Sequence, residues 1–188
     1  FVSETVSADV PLDAFYMVFK MPSKTADAYP AIDLLSDVLS QGNSSRLFRN
    51  LVKENALFSD IHAYNFGSLD TGMFVIEGRL NPDTTFEVAE EAIWAELENL
   101  KNEQVFEDEL IKVKNKFEST FEFSEMSLLD KAMNLAFYEL IGDGELFNKE
   151  VARYLAVSKE DLQAEAARLF QKEKATILYY RSNQKHAE

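Results

Sequence analysis

Two histidines and 33 acidic residues are the side chains of this sequence that could hold a metal ion. His62 lies in a strand-like segment, and His186 lies near the end of the chain. A zinc site built on a helix needs two histidines at helical spacing, usually with a carboxylate nearby. Neither histidine meets this requirement, and neighbouring carboxylates such as Glu90 and Glu91 are expected by chance in so acidic a chain. The sequence therefore predicts no metal ligand in this chain.

The other common catalytic arrangements are also missing. The chain has no cysteine, which excludes a thiol nucleophile, a disulfide and a cysteine-ligated metal. No serine lies in a G-x-S-x-G elbow. The segment GNSSR at 42–46 lacks the lysine of a phosphate-binding loop. On residue chemistry alone, we expect a domain without its own catalytic centre, acting as a partner, a substrate-guiding half or a scaffold.

The acidic balance narrows the class of partner. The formal net charge is −14, whereas a nucleic-acid binder usually has a basic face. An acidic surface favours basic ligands. Such a surface is also common among soluble bacterial proteins, so we expect the protein to be located in the bacterial cytoplasm or periplasm. No apolar run approaches the roughly 20 residues needed to span a bilayer. The sequence thus predicts neither nucleic-acid binding nor a membrane span.

The elements that would position any functional residue follow the order β, α, α, β, β, α, α, α, α, β. This order predicts an α+β fold, with one mostly antiparallel sheet and helices packed on one face. Alternation and helical periodicity place the strands at 14–22, 57–68, 71–80 and 175–182, and the helices at 28–41, 44–55, 84–102, 107–141 with a break near 121–127, 145–155 and 159–171.

The domain division follows from the same patterns. Residues 1–13 read as a polar lead-in from a missing upstream half, and residues 14–182 as a single α+β domain. Residues 183–188 form a tail. No linker rich in proline, glycine or serine divides the chain, so one domain is expected.

Several residues mark the ends and buried faces of the predicted helices. Gly42 is a stop signal, after which Ser44 or Ser45 is expected to cap the next helix. Asp83 or Thr84 is expected to cap the helix that follows the hairpin. One apolar stripe is predicted to be its buried face, and two methionines further on are predicted to lie in the core. The stripe comprises Phe86, Ala89, Ile93, Leu97 and Leu100, and the methionines are Met126 and Met133.

The stretch from residue 31 to residue 64 carries a resemblance to a known family. In it, Ser-Ser-Arg-Leu-Phe at 44–48 follows a short break after a helix, opens the next helix and leads into a strand. This pattern resembles the second half of proteins in the pitrilysin family of zinc metallopeptidases, which includes insulin-degrading enzyme and the mitochondrial processing peptidase. The order of the later elements also fits, so the resemblance extends over residues 14–182.

The resemblance implies a metallopeptidase clamshell half-domain. The family joins two homologous halves, and the first half carries a zinc motif, His-x-x-Glu-His, that the second usually lacks. The helix at 28–41 has no histidine, so the chain resembles the inactive half of a zinc metalloendopeptidase. The implied function is to close the chamber and help bind extended peptides; the alternative is a catalytically inactive structural subunit.

The implied partners follow from this assignment. A catalytic half, upstream in the same polypeptide or on a separate subunit, would hold the Zn²⁺, and this chain would hold no cofactor. Peptides would be the substrates, adding a strand to a sheet edge. A homodimer stays open as an alternative.

The resemblance also implies positions for substrate contacts. Active members often supply an arginine and a tyrosine seven residues apart, and these positions hold Val52 and Ser59 here. Neither side chain can replace the missing group. Arg49 and Tyr64 lie nearby and are the candidate replacements. Arg46 is the third candidate for substrate contact, with bracing of the preceding turn as its alternative role.

Overall fold

The computed structural model describes residues 1–183 and places five strands in one sheet, in the order β1-β5-β2-β4-β3. Neighbouring strands are antiparallel except for β1 and β5, which are parallel. The predicted α+β class with a mostly antiparallel sheet is therefore confirmed. The strands are β1 (Val2–Ala8), β2 (Ala14–Met21), β3 (Phe58–Phe66), β4 (Gly72–Leu80) and β5 (Thr176–Ser182).

Helices pack against one face of this sheet, with the first helix on β3 and the last long helix on β2. None of the helices within residues 1–183 is long and apolar enough to cross a lipid bilayer. The helices are α1 (Tyr29–Ser40), a π-helix (Phe48–Glu54), α2 (Phe86–Asn102), α3 (Glu107–Glu125), α4 (Leu128–Leu140), α5 (Leu146–Leu155), α6 (Lys159–Leu169) and a 3₁₀ turn (Lys172–Lys174).

The core lies between the helices and the sheet. Every second residue of β2 is buried there, because successive side chains of a strand point to opposite faces. The predicted apolar stripe of α2 is buried as expected. Phe19 meets Trp94 and Phe170 edge to face, with ring centroids 5.9 and 5.3 Å apart. These aromatic contacts join β2 to α2 and to the end of α6.

The strand β1 lies within residues 1–13, where the sequence predicted only a lead-in. It pairs in parallel with β5 along its whole length. Nearly all of its side chains are exposed on both faces. A strand that buries neither face has no alternation of apolar and polar residues. The alternation that predicted the other strands is therefore absent from β1. His186 and most of the predicted tail lie outside the described residues.

The predicted caps were wrong at two helices. At α2 the capping residue is Thr85, one position beyond the prediction of Asp83 or Thr84. Its hydroxyl accepts from the backbone N–H of Val88. Thr84 is instead buried, and its own N–H donates to the carbonyl of Asn81. Thr84 is therefore part of the turn before the helix, and the hydroxyl of Thr85 caps the helix.

The π-helix has no serine side-chain cap. Ser45 contributes its backbone carbonyl, which accepts from the N–H of Arg49. Its hydroxyl is buried and has no hydrogen-bond partner among the described residues. The hydroxyl of Ser44 lies 2.8 Å from Lys112 Nζ, which donates to it. The segment before the π-helix is thus held by a hydrogen bond from Lys112 of α3 and not by a serine cap.

The two methionines predicted to lie in the core are exposed. Met126 is 78% exposed and Met133 63% exposed, whereas the methionines of β2 are buried. Helical periodicity shows which residues share a face, but it does not show whether another element covers that face. The long helical segment breaks as predicted, between α3 and α4, where Ser127 caps α4.

Replacing Ala56 with glycine is expected to stabilise the chain by about 0.5 kcal/mol. Ala56 has a φ of +50°, a left-handed conformation that strains a residue with a Cβ. Denaturant unfolding would measure the change. As a control, Ala132→Gly in the exposed part of α4 should destabilise the chain by about 1 kcal/mol. A loss of stability in Ala56→Gly as large as in this control would contradict the prediction.

Candidate functional site

The face of the sheet opposite the helices presents a polar and aromatic surface, called the open face below. Strand register aligns Tyr16 of β2 with Glu77 of β4, and Glu77 with His62 of β3. Asp60 of β3 and Arg79 of β4 form the next aligned pair on the same side of these two strands. Period-two alternation puts all five side chains on one side, away from the buried residues.

Ion pairs and hydrogen bonds order the open face. Arg79 donates to both carboxylate oxygens of Asp60, over 2.8 and 3.2 Å. His62 Nε2 lies 3.7 Å from the second of these oxygens. The hydroxyl of Tyr64 donates to Glu77 Oε2 over 3.0 Å. Partial burial and this bond to a carboxylate raise the pKa of Tyr64, so the phenol stays protonated and acts as a donor.

A cavity of about 510 Å³ lies on the open face. The loop at residues 10–12 forms one wall, and the strands form the floor. Two tyrosines, two carboxylates, an arginine and a histidine line it together with that loop. These side chains are Tyr16, Tyr180, Asp60, Glu77, Arg79 and His62.

The groups of the open face could contact a ligand. Tyrosine rings offer flat apolar area with a polar tip, and carboxylates attract cationic side chains. Within residues 1–183, no group of three or more histidines and carboxylates could hold a metal ion. Helix α1, which would carry the family's zinc motif, has no histidine. Residues 1–183 therefore do not provide the set of ligands that a zinc site needs.

Arg46 is the candidate whose surroundings are most clearly defined. It is 7% exposed and donates from Nε and Nη2 to the two carboxylate oxygens of Glu109, over 2.9 and 2.7 Å. Glu109 also accepts from the backbone N–H of Phe106 and so caps α3. Burial opposes ionisation of Glu109, but these donors outweigh it and lower its pKa. Arg46 lies just before the π-helix and thus ties this segment to the start of α3.

The other two candidates lie in different places. Arg49 is exposed and donates to Asn50 Oδ1 over 3.0 Å; it lines a cavity of about 310 Å³ beside α3. Tyr64 lies on the open face. Within the described residues the two share no contact that would make them a pair. Val52 packs partly against the core and Ser59 is exposed. Substrate binding by Arg46, Arg49 and Tyr64 stays a prediction.

Sequence reasoning missed most of the open face. It named Tyr64 but not Tyr16, Asp60, Glu77 or Arg79. The alternation in β4 indicated part of this surface, because Glu77 and Arg79 are charged residues at alternate positions of the strand and point away from the core. Their alignment with β2 and β3 depends on strand register, which the sequence does not give directly.

Comparisons with known proteins agree with the resemblance in the sequence. A family model described as the peptidase M16 inactive domain matches residues 3–117. Zinc protease PqqE of Helicobacter pylori is 27% identical over 170 residues, which are 90% of this chain and 38% of that protein. The crystal structure of a protease from Helicobacter pylori matches with a TM-score of 0.88 and 27% identity, over 95% of this chain and 44% of that chain.

A further solved structure corresponds to a domain of the same extent. It is the inactive peptidase domain of a Bordetella parapertussis protein, with a TM-score of 0.84 and 20% identity, and the match covers 95% of both chains. This chain therefore spans less than half the length of the two Helicobacter pylori matches and nearly all of this domain.

Proposed function

Because the chain belongs to the peptidase M16 family as its inactive domain, we propose that it is the non-catalytic half of a zinc-dependent peptidase. In this role it closes the chamber opposite the catalytic half and helps to bind extended peptides. The zinc ion belongs to the catalytic half. When bound there, it would supply the Lewis acid and the activated water of peptide hydrolysis. The observation that carries the proposal is the open face, which is polar, aromatic and concave and which no helix of the described residues covers.

The charges of the chain favour cationic substrates. The net charge is −14, which concentrates basic or unfolded peptides near the surface. On the open face, Arg79 already neutralises Asp60. The carboxylate of Glu77 accepts one hydrogen bond from a neutral phenol. Glu77 is thus the group that would meet a lysine or arginine side chain, with Tyr16 beside it to hold the aliphatic part.

A zinc-dependent cleavage assay tests the proposed function. The complete protease, or the assembled complex of both halves, is incubated with a quenched basic peptide with and without a chelator. We expect cleavage that stops with the chelator and is lost when this chain is removed. Stable assembly without cleavage would instead identify a structural subunit, the alternative that Val52 and Ser59 favour. Cleavage by the catalytic half alone, at an unchanged rate, would contradict the proposal.

Replacing Glu77 with glutamine is expected to weaken binding of a basic peptide about fivefold, or ~1 kcal/mol. Glutamine still accepts from Tyr64, so the open face keeps its shape while losing one charge. Fluorescence anisotropy with a labelled lysine-rich peptide would measure the effect. Glu98→Gln, an exposed change on α2, is the control with the same change in net charge. Equal weakening in both variants would mean that overall charge, and not the open face, governs binding.

A further inference from the structure

Helix α4 and the end of α3 expose six large apolar side chains, called the apolar helix surface below. On α4, Leu129, Met133 and Leu140 lie on one face at helical spacing, and Leu128 beside them is 86% exposed. The surface comprises Phe123, Met126, Leu128, Leu129, Met133 and Leu140. Single exposed leucines are ordinary, but several large apolar side chains exposed along two consecutive helices are typical of a binding surface.

The composition of α4 is typical of a helix that another protein element covers. Apolar residues occur on all its sides, which is typical of a buried helix. Yet Tyr138 is its only buried side chain within the described residues. Tyr138 and Phe147 of α5 lie together, with ring centroids 6.0 Å apart, so the packed side of α4 is already defined. The remaining sides carry the apolar helix surface.

Charges around this surface favour a partner that differs from this chain. Residues 118–140 contain five carboxylates and one lysine. A second copy would bring two acidic rims together, and like charges at an interface oppose association. A partner with an apolar patch bordered by lysine and arginine would match both features.

The length of the longer relative leaves room for a partner of suitable size. This chain covers 44% of the Helicobacter pylori protease structure and 95% of the separately solved inactive domain, so the longer relative has room for a second domain of similar size. A stable interface buries about 800 Å² on each partner, with a central apolar cluster carrying most of the energy. The six side chains of the apolar helix surface provide such a cluster.

We propose that the apolar helix surface is where the catalytic half docks, through an apolar patch bordered by basic residues. This proposal rests on the proposed function, since it assumes a catalytic half. It assigns the contact to α4 and the end of α3, and it leaves the open face of the sheet free to line the chamber.

Hydrogen exchange of the α4 amides tests the docking surface. We expect these amides to exchange at least tenfold more slowly in the complete protease than in this chain alone, because docking suppresses local opening. In the complete protease, the double variant Leu129→Asp, Met133→Asp should lose that protection. Val88→Asp, at another exposed apolar position on α2, is the matched control and should retain it.

The outcomes separate this proposal from the proposed function. Equal exchange in the chain and in the complete protease would overturn the docking surface, even if zinc-dependent cleavage is intact. Protection that appears in this chain alone and rises with its concentration would identify a second copy as the occupant and would also overturn it. Loss of protection only in the double variant, with unchanged thermal stability of that variant as an isolated chain, would support it.

Discussion

Replacing Phe170 with alanine is expected to lower the free energy of unfolding by about 4 kcal/mol. Phe170 is fully buried at the end of α6. Its ring meets Phe19 and Phe74 edge to face, with centroids 5.3 and 5.1 Å away. Alanine would remove the ring that closes the core between the sheet and the helices, and the two remaining rings cannot collapse fully into the cavity. Denaturant unfolding followed by circular dichroism would measure the loss.

Phe123→Ala is the matched control for this substitution. Phe123 is 71% exposed at the end of α3, so the same chemical change should alter the stability of the isolated chain by less than about 0.5 kcal/mol. A difference of under about 1 kcal/mol between the two variants would contradict the burial of Phe170.

Replacing Arg46 with alanine is expected to destabilise the chain by about 3 kcal/mol. The substitution leaves the half-buried carboxylate of Glu109 without the two charge-assisted hydrogen bonds that now offset its burial. It also removes one side-chain link between α3 and the segment before the π-helix, whereas Lys112 still donates to Ser44. The double variant Arg46→Met, Glu109→Leu should recover much of the loss, since it leaves no unpaired charge. Thermal and denaturant unfolding of the two variants and the native chain would test this.

The pH dependence of stability gives an independent check on this ion pair. The folded-state pKa of Glu109 is lowered, so its contribution is present above the unfolded pKa of glutamate, near 4.3, and is lost as the pH falls through the lowered folded value. The native chain should therefore lose more stability than Arg46→Ala as the pH falls from about 5 to 3. Parallel stability curves for the two proteins would show that Arg46 does not hold this carboxylate ionised.

The three candidate substrate contacts illustrate how residue type differs from residue role. Arg46, Arg49 and Tyr64 were selected because their side chains can donate to a peptide. In the folded chain Arg46 already donates to Glu109, 63 positions away in the sequence. Arg49 lines the cavity beside α3, whereas Tyr64 lies on the open face. The open face brings Tyr64 to Glu77 instead. Partners of this kind are long-range contacts, which local pattern cannot reveal.

The sequence by itself determined the family, the α+β class, most helices and the four strands that bury one face. These features depend on periodicity and on the Ser-Ser-Arg-Leu-Phe segment, all of which are local. Tertiary structure alone decided three further points: that residues 2–8 extend the sheet, that Met126 and Met133 lie outside the core, and that Glu77 and Arg79 share a face with Tyr16. The physical reason is the same in each case. Strand pairing, register and the covering of a helix face depend on residues distant in sequence, and the periodicity of one segment carries no information about what packs against it.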